Sequence, residues 1–301
     1  MMNFLIPFFI LFSSHVFSQN LPRQPLDAGH PSSAIYEYQL RIESYEQNGR
    51  KVDVYLPVSE TREIGSFPVV VFGHGQATDV SGYDLTFQHL AKKGIAVVHP
   101  MYDGGFFDQK WRRMADDFNA LIAGALKKYP QLNPRQLIFA GHSKGAYVAL
   151  MAAGAPSHLK LDFIAQSLVL FAPAGYDPEY LKNINPQVPV TLVYSDNDKI
   201  IKRNILNEIE AGLPTKYKQF VEVTSYSGLK ADHFHVLSKS FFFGGKDGAS
   251  PFHYFATWKF LVAASLDVQS NSPLNHPHIY GSETLSTGVD GLQHRLIKKS
   301  W

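Results

Sequence analysis

Gln136-Leu137-Ile138-Phe139-Ala140-Gly141-His142-Ser143-Lys144-Gly145, running on through Ala146 to Ala153, is the stretch on which the reading of this chain turns. Gln136–Ala140 is a short apolar run, the pattern of a strand covered on both faces. Lys144–Ala153 has the spacing and composition of a helix. Between them stands G-x-S-x-G, a weak signal alone and a specific one in this strand-to-helix setting. A serine on so sharp a turn sits in strained backbone. Glycines at 141 and 145 are needed where side chains would collide with neighbouring main chain. The helix N-terminus beside Ser143 also favours negative charge that develops there. The stretch therefore nominates Ser143 as a nucleophile.

A hydroxyl needs a base to take its proton, and the base needs an acid to orient it. With a serine on this kind of turn the two follow in chain order, acid first and histidine second. Downstream, the run Val190–Val193 leads into Ser195-Asp196-Asn197-Asp198-Lys199-Ile200, and Ala231-Asp232-His233-Phe234-His235 comes later. Asp196 and Asp198 both qualify as the acid, and His233 and His235 both qualify as the base. His233 is favoured as the first histidine after the last strand-like run. A calcium loop starting at Asp196 would need Gly at its sixth position and Glu at its twelfth, where Ile201 and Asn207 stand. The His233-x-His235 pair has no third ligand nearby, so no metal is expected. Negative charge on a reacting carbonyl oxygen needs N–H donors already in place. Lys144 N–H follows the nucleophile, and Gln76 N–H, in Gly73-His74-Gly75-Gln76 after the run Val69–Phe72, is the second candidate. His74 precedes Ser143 in the chain and reads as a structural hydrogen-bonder.

Further out, Pro68–Phe72, Ile95–Val98, Ser167–Phe171 and Val190–Val193 are also short apolar runs, with Phe220–Thr224 as a last strand. Helical stretches separate them at Tyr83–Lys93, Gln109–Lys128 and Arg203–Ala211, and Phe252–Ala264 closes the series. Strands alternating with helices predict a doubly wound, mostly parallel α/β sheet with helices on both faces. Ile35–Ile42 and Lys51–Leu56 alternate apolar and polar residues, so the first strands are expected to be an antiparallel, half-exposed pair.

Phe4–Phe12 (FLIPFFILF) followed by small and polar residues reads as an export leader cut after Ser18. That predicts a leader over 1–18, a flexible lead-in over 19–33 and one catalytic domain over 34–301, periplasmic or secreted. The apolar run is too short to anchor the chain, so no stable membrane insertion is expected after cleavage. The chain has 301 residues, a formal net charge of +2 and no cysteine. No block of like charges marks a nucleic-acid partner, thiol chemistry is excluded, and no cofactor is expected. Oligomeric state leaves no mark.

Gly73-His74-Gly75-Gln76, Gly141-His142-Ser143-Lys144-Gly145-Ala146, Ser195-Asp196-Asn197-Asp198 and Asp232-His233-Phe234 together resemble the α/β-hydrolase superfamily over nearly all of the mature chain. Within it, the chain is similar to the secreted, lidless branch of cutinase-like polyester hydrolases, dienelactone-hydrolase-like proteins and chlorophyllases. The resemblance implies the α/β-hydrolase fold. It also favours Asp198 over Asp196, since the acid in that fold commonly follows a small residue and precedes an apolar segment, here Ser195 and Ile200-Ile201. Caps in this fold are usually inserted after the sixth strand, and Ala174–Val188 leaves little room for one. Departures are informative: dienelactone hydrolases proper carry Cys at the position of Ser143. Polyester hydrolases usually have an apolar residue where Lys144 stands, a basic residue shared with chlorophyllases. The implied activity is hydrolysis of a small-molecule or polymeric carboxylic ester through an acyl-enzyme. A serine peptidase or amidase uses the same residues, and an inactive exported binding protein is the reading from another class. Aromatics in Phe241-Phe242-Phe243 and Phe252–Phe255 divide between core packing and lining an acyl pocket.

Overall fold

Val69, Val70, Val71 and Phe72 are all fully buried, and successive residues enter different cores. Val69 and Val71 pack with Met114, Phe118 and Val148 on one face, whereas Val70 and Phe72 pack with Phe87, Leu90 and Phe260 on the other. Side chains of a strand alternate between faces. A run with no polar residue in it can therefore be stable only where both faces are covered. The computed structural model describes residues 23–59, 67–102, 110–155, 161–225, 229–239, 248–270 and 294–300. The expected leader over 1–18 and the Phe241-Phe242-Phe243 run lie outside these residues.

The strands are β1 (Gln39–Gln47), β2 (Arg50–Val58), β3 (Phe67–Gly73), β4 (Ala96–Pro100), β5 (Leu132–His142), β6 (Ala165–Phe171), β7 (Val190–Ser195), β8 (Lys218–Val223) and β9 (His294–Ser300). The helices are α1 (Asp84–Lys92), α2 (Trp111–Lys128), α3 (Lys144–Ala153), α4 (Pro178–Leu181), α5 (Arg203–Gly212) and α6 (Trp258–Gln269). They build one sheet in the order β1-β2-β4-β3-β5-β6-β7-β8-β9. From β4 to β8 every neighbouring pair is parallel, while β1–β2, β2–β4 and β8–β9 are antiparallel. Helices α2 and α3 supply one core and α1 and α6 the other. This is the α/β-hydrolase fold, with its antiparallel first strands. Each fully buried aliphatic side chain in such a core contributes about 1.5–3 kcal/mol.

Two details differ from the pattern read in the sequence. The first strand was expected over Ile35–Ile42 and lies at Gln39–Gln47. Asn48 and Gly49 both take left-handed backbone, at φ 53° and 69°, and close a two-residue turn that pairs Gln47 with Arg50. A two-residue turn fixes hairpin register, and it overrides the weak alternation upstream. Ile35 and Tyr36 lie before the strand, and the Tyr36 ring meets His89 edge-on at 5.5 Å. The second difference is β9. Phe220–Thr224 was expected to end the sheet, but His294–Ser300 pairs along β8 and covers an edge that would otherwise leave a row of unpaired main-chain groups.

Between β6 and β7 the chain makes only the single turn α4. Tyr180, Leu181 and Ile184 from this connection are buried in the α2–α3 core rather than standing over the strand ends. This connection builds no cap, because its residues are spent on packing. Among the described residues, no helix is long and apolar enough to cross a membrane.

Candidate active site

The parallel strands end at one edge of the sheet, and the loops that leave β3, β5, β7 and β8 meet there. Strand β5 runs into Ser143, whose backbone sits at φ 54° and ψ −119°, and α3 starts at the next residue. A left-handed φ on a non-glycine residue costs of order 1–3 kcal/mol unless the surroundings impose it. Here Ser143 N–H donates to the Phe171 carbonyl at 2.8 Å, and the Ser143 carbonyl accepts from Ala174 N–H at 3.1 Å. Close packing does the rest. A Cβ on Gly145 would come within 2.1 Å of the Gly73 main chain, and one on Gly141 within 2.5 Å of Gly145. The end of β3 is thus pressed directly against the serine turn. Among the described residues, the non-glycine residues with left-handed backbone besides Asn48 are Ala77, Ser143 and Ala172, which lie on the loops leaving β3, β5 and β6. The strain is concentrated at this edge.

Ser143 and His233 open into a common cavity of about 150 Å³, whose wall also includes Gly75, Gln76, Ile200 and Phe234. His233, buried, places Nδ1 2.8 Å from Asp198 Oδ2. The other carboxylate oxygen accepts from the main-chain N–H groups of Ile200 and Ile201, at 2.8 and 2.9 Å. Burial alone would raise the pKa of Asp198. The His233 hydrogen bond and charge, with the two N–H donors, outweigh it and hold the carboxyl below its ordinary value. An ionised Asp198 only accepts, so His233 donates from Nδ1, and Nε2 is its basic atom.

The second acid and the second histidine serve different partners. Exposed Asp196 accepts from Ser225 N–H at 2.8 Å and from Ser225 Oγ at 2.7 Å. Ser225 Oγ in turn accepts from Ala231 N–H at 3.0 Å. His235 donates from Nδ1 to the Asp232 carbonyl at 2.9 Å, with Ser195 Oγ at the same distance from that nitrogen. Asp198 and His233 are brought together, and Asp196 and His235 stitch their loops.

Lys144 is the first residue of α3, and its buried side chain lies along the Trp111 ring, with Nζ 5.8 Å from the centroid. Gln76 lines the cavity beyond Gly75. His74 is buried, contacts the Gly75 carbonyl through Nδ1 at 2.9 Å and stacks on Tyr102 at 4.5 Å. Phe252 and Phe255 are buried in the α1–α6 core, which makes them packing residues. Among the described residues, no group of three or more metal-ligating side chains occurs. Sequence reasoning passed over Thr78 and Tyr83 at the site, and quoted Phe234 only as part of Asp232-His233-Phe234. Phe234 adjoins a residue already singled out, whereas nothing in the local pattern marks Tyr83.

A family model described as chlorophyllase matches residues 33–188. A chlorophyllase type 0 from Chenopodium album is 27% identical over 172 residues, covering 52% of this chain and 47% of that protein. The chain thus spans about half the length of the curated relative it matches. The family match takes in the serine turn and the Gly73–Gln76 loop but stops short of Asp198 and His233. For those two residues the geometry above is the independent observation.

Proposed function

This chain belongs to the chlorophyllase family, and from that premise we propose that it hydrolyses carboxylic esters through an acyl-enzyme formed on Ser143. The observation that carries the reading is the strained Ser143 sharing one cavity with a histidine that an ionised aspartate holds in a single tautomer. His233 takes the Ser143 proton at Nε2 as Oγ attacks the ester carbonyl, then gives it to the departing alkoxide. Water repeats the cycle to release the acid. Asp198 stabilises the imidazolium without being protonated itself. The main-chain N–H groups of Lys144 and Gln76 receive the oxyanion, each such donor being worth about 2.7–4 kcal/mol in related sites.

The mouth of the cavity is apolar. Ile200 is 53% exposed there and Phe234 stands beside it, and the β6–β7 connection does not stand over them. These features support an ester with a bulky apolar part, whether a small molecule or a polymer. Chlorophyll, to which the relative's name points, belongs in the test panel. The apolar run at Phe4–Phe12 supports export, to the periplasm or beyond the cell.

The test is labelling by a fluorophosphonate together with turnover of esters graded from acetate to long-chain and polymeric, with an anilide in parallel. Ser143→Ala is expected to abolish labelling and to lower turnover on the order of 10⁶-fold with an unchanged circular dichroism spectrum. Undiminished turnover in that variant would sink the assignment, and anilide cleavage at a rate matching the esters would move the reaction to amides.

A further inference from the structure

We propose that Tyr83 and His142 are positioning residues that lock the loop carrying His233 to the turn carrying Gln76, through a chain of hydrogen bonds with one fixed polarity. The inference rests on the ester-hydrolase reading for its catalytic consequence and on geometry for the chain itself.

The polarity follows from which atoms can donate. His142 Nε2 lies 2.8 Å from the His233 carbonyl oxygen, which only accepts, so His142 carries its proton on Nε2. Burial, with the neighbouring His233, holds the His142 imidazolium far below its ordinary range, so the ring is neutral and its Nδ1 accepts. Tyr83 Oη, 3.0 Å from that Nδ1, must then be the donor. The same phenol oxygen accepts from Gly75 N–H at 2.8 Å. Thr78 Oγ1 sends its proton to the Gly75 carbonyl at 2.7 Å, tightening the turn whose Ala77 is left-handed. Each link has one permitted direction, from Gly75 through Tyr83 and His142 to the backbone of His233.

The placement is what gives the chain a function. Gly75 directly precedes Gln76, His142 directly precedes Ser143, and the carbonyl at the far end belongs to His233 itself. One buried phenol thus ties together the three loops whose relative position the proposed chemistry needs. The His233 side chain is held at Nδ1 by Asp198 and its main chain by His142, which fixes both ends of the residue. The surroundings also leave no room for a substitute arrangement. A Cβ on Gly75 would stand 3.0 Å from His142 Nδ1 and 3.1 Å from the Tyr83 hydroxyl. The Tyr83 ring packs on Phe72 and Phe87, at 4.8 and 5.9 Å between centroids, so a phenylalanine at 83 keeps the packing and loses only the hydroxyl.

The experiment uses the full chain with Tyr83→Phe, His142→Leu and His142→Gln, assayed on p-nitrophenyl butyrate and observed by nitrogen-15 NMR of the histidine rings. Misplacement of a reacting group by about 1 Å can cost on the order of 10²-fold. Tyr83→Phe and His142→Leu are therefore expected to lower kcat by about 10- to 100-fold with KM within about twofold. His142→Gln, whose amide nitrogen can reach the position of Nε2, should recover most of that loss. In the spectra, wild-type His142 should be the Nε2–H tautomer, and Tyr83→Phe should shift the His233 ring signals. An Nδ1–H tautomer at His142, unmoved His233 signals in Tyr83→Phe, or a wild-type kcat in a folded Tyr83→Phe would each overturn the relay. A wild-type chain that cleaves no ester would defeat the ester-hydrolase reading instead, and the spectra would still judge the relay.

Discussion

Asp198 and Asp196 stand two positions apart on the turn after β7, and His233 and His235 stand two positions apart on the loop after β8. The members of each pair have the same chemistry and different partners. Asp198 is buried, takes two main-chain N–H donors on one oxygen and binds His233 with the other. Asp196 is exposed and spends both oxygens on Ser225. His233 faces the cavity, whereas His235 is turned toward Ser195 and the Asp232 carbonyl. Residue type selects what a side chain can do, and the path of the turn decides which copy does it. The inner pair bonds to itself beside the cavity, and the outer pair ties neighbouring segments of the two loops.

The largest expected effect tests that division directly. Asp198→Asn should lower kcat on the order of 10⁴-fold, because an amide favours the wrong histidine tautomer, while Asp196→Asn should stay within about tenfold. Steady-state kinetics on a short-chain ester decides it, and a greater loss at Asp196 would invert the pairs.

Acid should then separate the pairs by pH. Burial holds the His235 imidazolium below its ordinary range, and the same cause acts on His142 and His99 and brings His89 and His253 to about 3. In the unfolded chain an imidazole binds its proton near pH 6.5. Below that value the unfolded state holds more protons than the folded one, so stability falls as pH falls. These groups therefore act together to lower stability as pH falls from 6.5 to 5.5. The depressed Asp198 carboxyl works in a lower window. Its contribution is complete above about pH 3.9 and is lost as pH falls through its folded value. Urea unfolding at pH 7.5, 6.5 and 5.5 reads the histidine part, and a flat profile over that range would refute it.

A smaller effect is expected at the outer histidine. His235→Ala removes a partner of the buried Ser195 hydroxyl and should cost about 1–3 kcal/mol in chemical denaturation, with kcat/KM within about tenfold of wild type. It should also soften the acid loss, since one of the five groups is gone. Smallest of all, Asp196→Asn should shift stability by about 1 kcal/mol or less, because one carbonyl oxygen remains to accept from Ser225.

The parallel part of the fold was legible in the chain. Strands such as Val69–Phe72 are covered on both faces and must be apolar at every position, and Lys144–Ala153 is a helix of the expected extent. The edges were much less so. Strand β1 has no buried residue to shape its pattern, so its register rests on Asn48-Gly49 instead. Strand β9, His-Arg-Leu-Ile-Lys-Lys-Ser, is largely polar and is defined by the neighbour it covers. At the site, Ser143 was marked by glycines its turn requires, while Asp196 and Asp198 carry the same local signal. Tyr83 left no trace, because a hydroxyl that matters through partners at 75 and 142 has no spacing rule to betray it.

The contact between Gly73 and Gly145 has a meaning in time as well as in space. These glycines are far apart in the chain, and a Cβ on Gly145 would come within 2.1 Å of Gly73 main chain. Local preference disfavours the left-handed shape of the serine turn, and the packing of β3 against it is expected to help impose that shape once β3 and β5 lie side by side. Such non-local pairings form late, after loop-closure entropy has been overcome. On the proposed reading, a half-folded chain carries at position 143 an ordinary serine, and reactivity arrives with the completed sheet.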